Sequence, residues 1–142
     1  MSTIHSTKAA EPLGPYSHAR RVGNLVFVAG IGPRKRGSRL IPGVKLDAAG
    51  KVLDYDIEAE MRSCFENIRI ILEEAGSKWE NIVDASVFLT DIERDWATYN
   101  RVYAEFFPPG PNTPTRTTVE VSALPRGGDA PIHYEMKVIA TV

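Results

Sequence analysis

Between residues 57 and 75 the apolar side chains fall at Ile57, Met61, Cys64, Phe65, Ile68, Ile71, Leu72 and Ala75. Steps of three and four, with occasional adjacent pairs, set these side chains along one stripe of a helix. Asp54 and Asp56 stand where a carboxylate can cap the first turn, and Gly76 stands where a helix stops. The spacing predicts a helix roughly 28 Å long, enough to cross a small sheet. A second stripe, Trp96, Tyr99, Val102, Tyr103 and Phe106, follows Asp91 and Asp95 as candidate caps. Pro108-Pro109-Gly110-Pro111 ends it, because proline can neither donate to nor fit inside a continuing helix.

The rest of the pattern is of period two or irregular. Residues 82–90 alternate Val83, Ala85, Val87 and Leu89 with Asp84, Ser86 and Phe88, which predicts a strand. Residues 115–122 and 132–142 read as two more strands joined by a turn containing proline and glycine. Near the start, residues 17–22 and 25–29 flank Gly23-Asn24, a tight hairpin signal. The opening stretch through Pro15 is polar and reads as an arm or loop. Residues 30–53 are irregular, with a short strand possible at 44–46, and a connection of that length is often functional. The predicted order is β-β-α-β-α-β-β, an α+β layout with two helices on one face of a sheet.

Composition narrows the class. With 142 residues, the chain is expected to form a single domain over 1–142, with 1–12 as an N-terminal arm. It is 43% hydrophobic and 25% charged, ordinary values for a globular protein. A net charge of −1 points to neither nucleic acid nor an acidic membrane surface. Cys64 is the one cysteine, so no internal disulfide can form, and it reads as a small buried hydrophobe. The first residues lack the apolar core of a secretory signal and no run is long enough to span a membrane, so the cytoplasm is the expected location. His5, His18 and His133 are scattered, so no metal site is expected. Gly30-x-Gly32 lacks the third glycine of a dinucleotide fingerprint. No serine or cysteine has an evident base beside it.

Four local features remain. They are Gly14-Pro15-Tyr16-Ser17-His18, Ala29-Gly30-Ile31-Gly32-Pro33, Pro114-Thr115-Arg116-Thr117-Thr118-Val119-Glu120-Val121, and Ala123-Leu124-Pro125-Arg126-Gly127 followed by a strand carrying Glu135. Together with Asn100-Arg101-Val102-Tyr103-Ala104-Glu105-Phe106-Phe107, their content and order resemble the RidA/YjgF reactive-intermediate deaminase family over roughly 13–142. The resemblance implies a chorismate-mutase-like fold with two helices on one face of a mixed sheet. It further implies a homotrimer with sites between subunits, no metal and no organic cofactor, and hydrolysis of small enamines and imines that carry a carboxylate.

It also implies roles. Arg116 takes the place of the arginine that binds the substrate carboxylate, a task suited to a planar, permanently charged fork. Taken alone it would be a solvated arginine near a strand end. Glu135 takes the place of the glutamate that positions or activates the attacking water; taken alone it would be an outward residue of an alternating strand. Tyr16 matches a tyrosine that packs on the substrate, and Gly30 a backbone contact. Thr118 stands where several relatives carry cysteine or another small residue, so a hydroxyl contact is expected there. Asn100 and Tyr103 read as scaffold.

Departures from the family pattern bear on the substrate. His18 replaces a common glutamine, Ile31-Gly32 replaces a glutamine-isoleucine pair, and the segment after the second strand is long. Within it, Gly43-Val44-x-Leu46-Asp47-Ala48-x-Gly50 resembles the 2-aminomuconate deaminases, which makes 2-aminomuconate the leading substrate and 2-aminoacrylate the alternative. A second carboxylate of such a substrate would need a positive partner, either His18 or a basic residue among Arg34, Lys35, Arg36 and Arg39. That basic cluster also leaves open an RNA-binding or ribonuclease-like member, although nucleic acid is not the expected partner. A non-catalytic ligand sensor is disfavoured by the presence of both Arg116 and Glu135.

Overall fold

The computed structural model describes residues 2–142 and contains one six-stranded sheet, one two-stranded sheet and two α-helices. In chain order the elements are β1 (Ser2–Ile4), β2 (Ala19–Val22), β3 (Leu25–Val28), β4 (Val44–Leu46), β5 (Val52–Tyr55), α1 (Ile57–Glu74), β6 (Ile82–Leu89), α2 (Ile92–Phe106), β7 (Thr115–Glu120) and β8 (Tyr134–Thr141), with a short 3-10 turn at Trp79–Asn81. The large sheet runs β1-β2-β3-β8-β6-β7. It is mixed: β6 and β7 pair in parallel, and the other neighbours pair antiparallel. A parallel pair needs a crossover, and α2 supplies it.

The two helices form where the stripes place them. Asp56 caps α1 by accepting from the backbone N–H groups of Glu58 and Ala59, and Asp91 caps α2 by accepting from Arg94. The other two candidate caps do different work. Asp54 lies in β5 and meets Arg94 at 3.0 Å. Asp95 lies inside α2, is buried, and accepts the Tyr55 hydroxyl at 2.7 Å. The core lies between sheet and helices. Tyr134, Met136, Val138 and Ala140 of β8 and Ala85, Val87 and Leu89 of β6 are fully buried against Met61, Cys64, Phe65 and Ile68 of α1. Cys64 is a free, buried thiol, as its place on the stripe requires. The remaining face of the sheet is mixed and partly open, with Leu25, Phe27 and Val119 exposed on the same side as Arg20, Glu135 and Lys137.

Two segments differ from the sequence pattern. The arm supplies β1, which pairs with β2 from Ser2 opposite Arg21 to Ile4 opposite Ala19. The strand possible at 44–46 finds a partner in β5, so the long connection contains a hairpin. Its Val44 and Leu46 pack on a small second cluster of Ile41, Ala130 and Ile132.

Candidate functional site

Glu135 stands on β8 between Tyr134 and Met136. Those neighbours face the helices, so the alternation turns Glu135 to the other side of the strand. Its carboxylate has no hydrogen-bond or ion-pair partner among the described residues, and burial alone pushes its pKa above the ordinary glutamate value. The end of β3 runs beside it. A Cβ on Gly30 would stand 2.6 Å from Glu135 Oε2, so the close approach requires a residue without a side chain. Tyr16, His18, Gly30 and Glu135 all line one cavity of about 210 Å³, with Leu13 and Ile132 among its apolar walls.

The outer wall of this cavity is a strap, residues 5–16, held by polar bonds. His18 is 2% exposed; its Nδ1 accepts from the Ser6 N–H at 2.9 Å and its Nε2 donates to the Ala10 carbonyl at 2.7 Å. This pairing calls for the neutral Nε2–H tautomer. Arg34, also buried, donates to the Glu11 carboxylate at 2.8 Å and to the Glu11 carbonyl at 2.5 Å. The hydrogen bond from Arg34 holds Glu11 well below the ordinary range, at about 2. Arg36 donates to the carbonyls of Ser6 and Ala9. Arg39 pairs with Asp129 on the next loop at 2.7 Å. The arginines of the basic cluster therefore brace the arm and the adjoining loop.

Arg116 and Thr118 lie elsewhere. In the β6–β7 register Arg116 is opposite Ala85 and Thr118 opposite Val87, both buried on the helix side. The Arg116 guanidinium sits 5.0 Å from the Tyr99 ring centroid and 4.8 Å from that of Tyr103, on α2. Both distances suit a cation–π contact. Its Nη1 donates to Asn100 Oδ1 at 3.0 Å, and Asn100 Nδ2 donates in turn to the Trp96 carbonyl. Thr118 Oγ1 and the Tyr99 hydroxyl are 2.6 Å apart. The Tyr103 hydroxyl is the one buried side-chain polar atom among the described residues without a partner, and burial raises its pKa to about 12.

Arg116 and Glu135 thus occupy opposite faces of the sheet. Glu135 is opposite Phe88 and Arg116 opposite Ala85, so they are also offset by three residues along β6 and separated by that strand. One chain holds two half-sites: an acid in a cavity and a guanidinium on an aromatic shelf.

Comparison with known proteins gives this arrangement a family. Residues 6–142 match the family model for Endoribonuclease L-PSP. The chain belongs to that family. A RutC family protein of Pyrococcus abyssi is 39% identical over 138 residues, covering 96% of this chain and 94% of the relative. Reactive Intermediate Deaminase A of Arabidopsis thaliana, a chloroplast protein, is 32% identical over 139 residues, covering 98% of this chain and 65% of the relative. Among solved structures, the YjgF gene product of E. coli matches with a TM-score of 0.80 and 29% identity over 99% of this chain and 98% of that one. E. coli TdcF with bound serine matches equally well, with a TM-score of 0.80 and 29% identity over 100% and 99%. The RidA/YjgF resemblance and the chorismate-mutase-like fold drawn from the motifs are confirmed by these matches.

Within this L-PSP chain, the structure groups Tyr16, His18, Gly30 and Glu135 at the cavity and sets Arg116 and Thr118 apart. Asn100, which reads as scaffold in the sequence, orients the Arg116 fork. The signal was present: Asn100 is a polar residue set among Trp96, Tyr99 and Tyr103, at spacings that share one helix face. Arg126 was part of a motif but had no role, and it lines the cavity. The described residues contain no cluster of three His, Cys, Asp or Glu side chains fit to hold a metal ion, and no helix long and apolar enough to cross a membrane.

Proposed function

We propose that this protein hydrolyses the C–N bond of a small carboxylate-bearing enamine or imine, giving the carbonyl compound and ammonia. The observation that carries the reading is Glu135: a partly buried carboxylate at a cavity wall, unpaired among the described residues, its pKa raised by burial as suits a general base. Protonation of the enamine at carbon gives an iminium ion. Water adds to the iminium carbon while Glu135 accepts the water's proton. The tetrahedral adduct then collapses to the carbonyl, and the nitrogen leaves as ammonia with the proton returned. Arg116 binds the carboxylate next to the reacting carbon by a bidentate fork.

Because one chain separates these groups, the proposed site joins the Glu135 cavity of one copy to the Arg116 shelf of its neighbour in a closed homotrimer. The exposed apolar side chains on the open face of the sheet, Leu25, Phe27 and Val119, support such packing. A small-molecule partner is favoured over RNA, since Arg34, Arg36 and Arg39 are engaged within the chain rather than displayed to a phosphate backbone.

Within this class 2-aminomuconate remains the leading candidate and 2-aminoacrylate the alternative. The segment 43–50 that carries this preference forms β4 and the turn leading into β5 and lines no part of the cavity. The deciding experiment measures ammonia release from both compounds generated in situ. Faster release than the spontaneous rate supports the deaminase reading; release no faster than in buffer for both would overturn it.

A further inference from the structure

The ionisable groups lining the Glu135 cavity are Glu11, Tyr16, His18, Arg34, Arg126 and Glu135. Several are already committed. Arg34 is buried and neutralised by Glu11 at 2.8 Å. His18 has both ring nitrogens engaged, by the Ser6 N–H and the Ala10 carbonyl. What remains, among the described residues, is one acid and one cation without an opposite charge: Glu135 and Arg126. Arg126 makes no ion pair among the described residues. Its Nη2 donates to the Asp129 carbonyl at 2.6 Å, which leaves the other donors of the fork available.

The backbone beneath Arg126 is fixed although its head is exposed. Arg126 bridges Pro131 across the loop. Gly127 is packed so closely that a Cβ there would stand 2.7 Å from Ile132 and 3.1 Å from Ile41. Gly128 adopts a φ of 141° with the Arg39 carbonyl against it, a conformation that glycine alone tolerates well. Asp129 is tied to Arg39 by its backbone N–H and by its side chain. A guanidinium on a rigid base, facing a cavity whose other cation is neutralised, is an anion receptor.

We propose that Arg126 is a specificity-determining residue that receives a second anionic group of the substrate, remote from the carbon served by Glu135. This rests on the deaminase reading for the reaction but not for the binding. It assigns the substrate to the class of dicarboxylates and their anionic equivalents, and it gives the distal anchor to Arg126 instead of His18 or the arginines of the 34–39 cluster.

The test compares two 2-imino acids of equal chain length, made in situ by amino-acid oxidases: 2-iminoglutarate and 2-iminopentanoate. Calorimetry with glutarate and pentanoate, which cannot react, supplies a readout without turnover. A charge-assisted contact at an exposed site predicts a wild-type preference of about tenfold for the diacid in both kcat/KM and binding. Arg126→Ala and Arg126→Gln bring the ratio close to one, while Arg126→Lys keeps part of it. A diacid preference unchanged in all three variants overturns the proposal, as does an equal loss on both compounds. If ammonia is released from neither imine but glutarate still binds better through Arg126, the receptor stands and the deaminase reading falls. If glutarate has no advantage over pentanoate, the receptor falls whatever the catalysis.

Discussion

Gly30 and Glu135 are in such close contact that a methyl group on Gly30 would stand 2.6 Å from the carboxylate oxygen. The glycine therefore sets where the acid lies. Gly30→Ala is expected to push the carboxylate aside, because a side-chain end yields more readily than the backbone. Misplacing a reacting group by about 1 Å costs up to ~100-fold in rate. A large fall in kcat with an unchanged melting temperature is the expected result, and normal kcat would show that Glu135 needs no such placement.

Glu135→Gln separates catalysis from stability. The glutamine keeps the shape but cannot accept the water's proton, so kcat should fall by roughly 100-fold or more. Stability should move the other way. Burial raises the Glu135 pKa above its ordinary value of 4.5, so the charged form is disfavoured in the folded state. Above the folded-state pKa this penalty acts in full; as pH falls through that value toward 4.5, the folded protein takes up a proton and the penalty disappears. Glu135→Gln is therefore expected to melt a few degrees higher than wild type near neutral pH, with the gap closing in acid. Wild-type kcat/KM should also lose its base on the acid side at a pH above the ordinary glutamate range. Thermal melts and a pH–rate profile check both.

Arg116→Ala should abolish turnover of carboxylate substrates without unfolding the chain, since the side chain is exposed on an edge strand. Arg116→Lys should fail in large part, because an ammonium lacks the fork. Asn100→Ala should raise KM by about tenfold while kcat changes less, as expected for a residue that orients the guanidinium through one hydrogen bond. Equal falls in kcat and kcat/KM would instead place Asn100 in the transition state.

The strap gives a further prediction. Arg34→Ala removes both bonds to Glu11 and leaves the arm tied by His18 and Arg36. Limited proteolysis should then cut within residues 5–16 faster than in wild type, with KM raised. Because the Glu11 pKa is lowered to about 2, this latch contributes stability that is full above the ordinary value of 4.5 and lost only as pH falls toward 2. Wild-type cleavage should accordingly stay slow down to about pH 4, assayed with an acid-active protease. Cleavage rates equal in wild type and Arg34→Ala would contradict the role given to this pair.

Both helices and the central strands could be read from the sequence because their burial is periodic. Ile57 to Ala75 and the aromatic stripe of α2 repeat at helical spacing, and β6 alternates. The strap and β5 could not. The strap is held by hydrogen bonds that His18, Arg34 and Arg36 make with its backbone, and β5 by its pairing with β4 and the contacts of Tyr55 with Asp95 and Arg94; such bonds leave no hydrophobic pattern, and in sequence those arginines look like surface charge. Arg116 and Glu135 could be picked out as residues, but their placement on opposite faces follows from the pairing register of β6 with both neighbours, which no single strand records.

That separation makes the central claim open to one direct measurement: subunit complementation. Arg116→Ala and Glu135→Gln chains, each purified and nearly inactive, are unfolded together and refolded as an equal mixture. If each site takes its arginine from one copy and its glutamate from the next, random assortment restores about a quarter of the sites. The account predicts ammonia release from the mixture at about that fraction of the wild-type rate, far above the residual rate of either variant refolded alone. A mixture of verified hetero-oligomers that stays inactive would show that the two half-sites do not meet between copies, and would contradict the account.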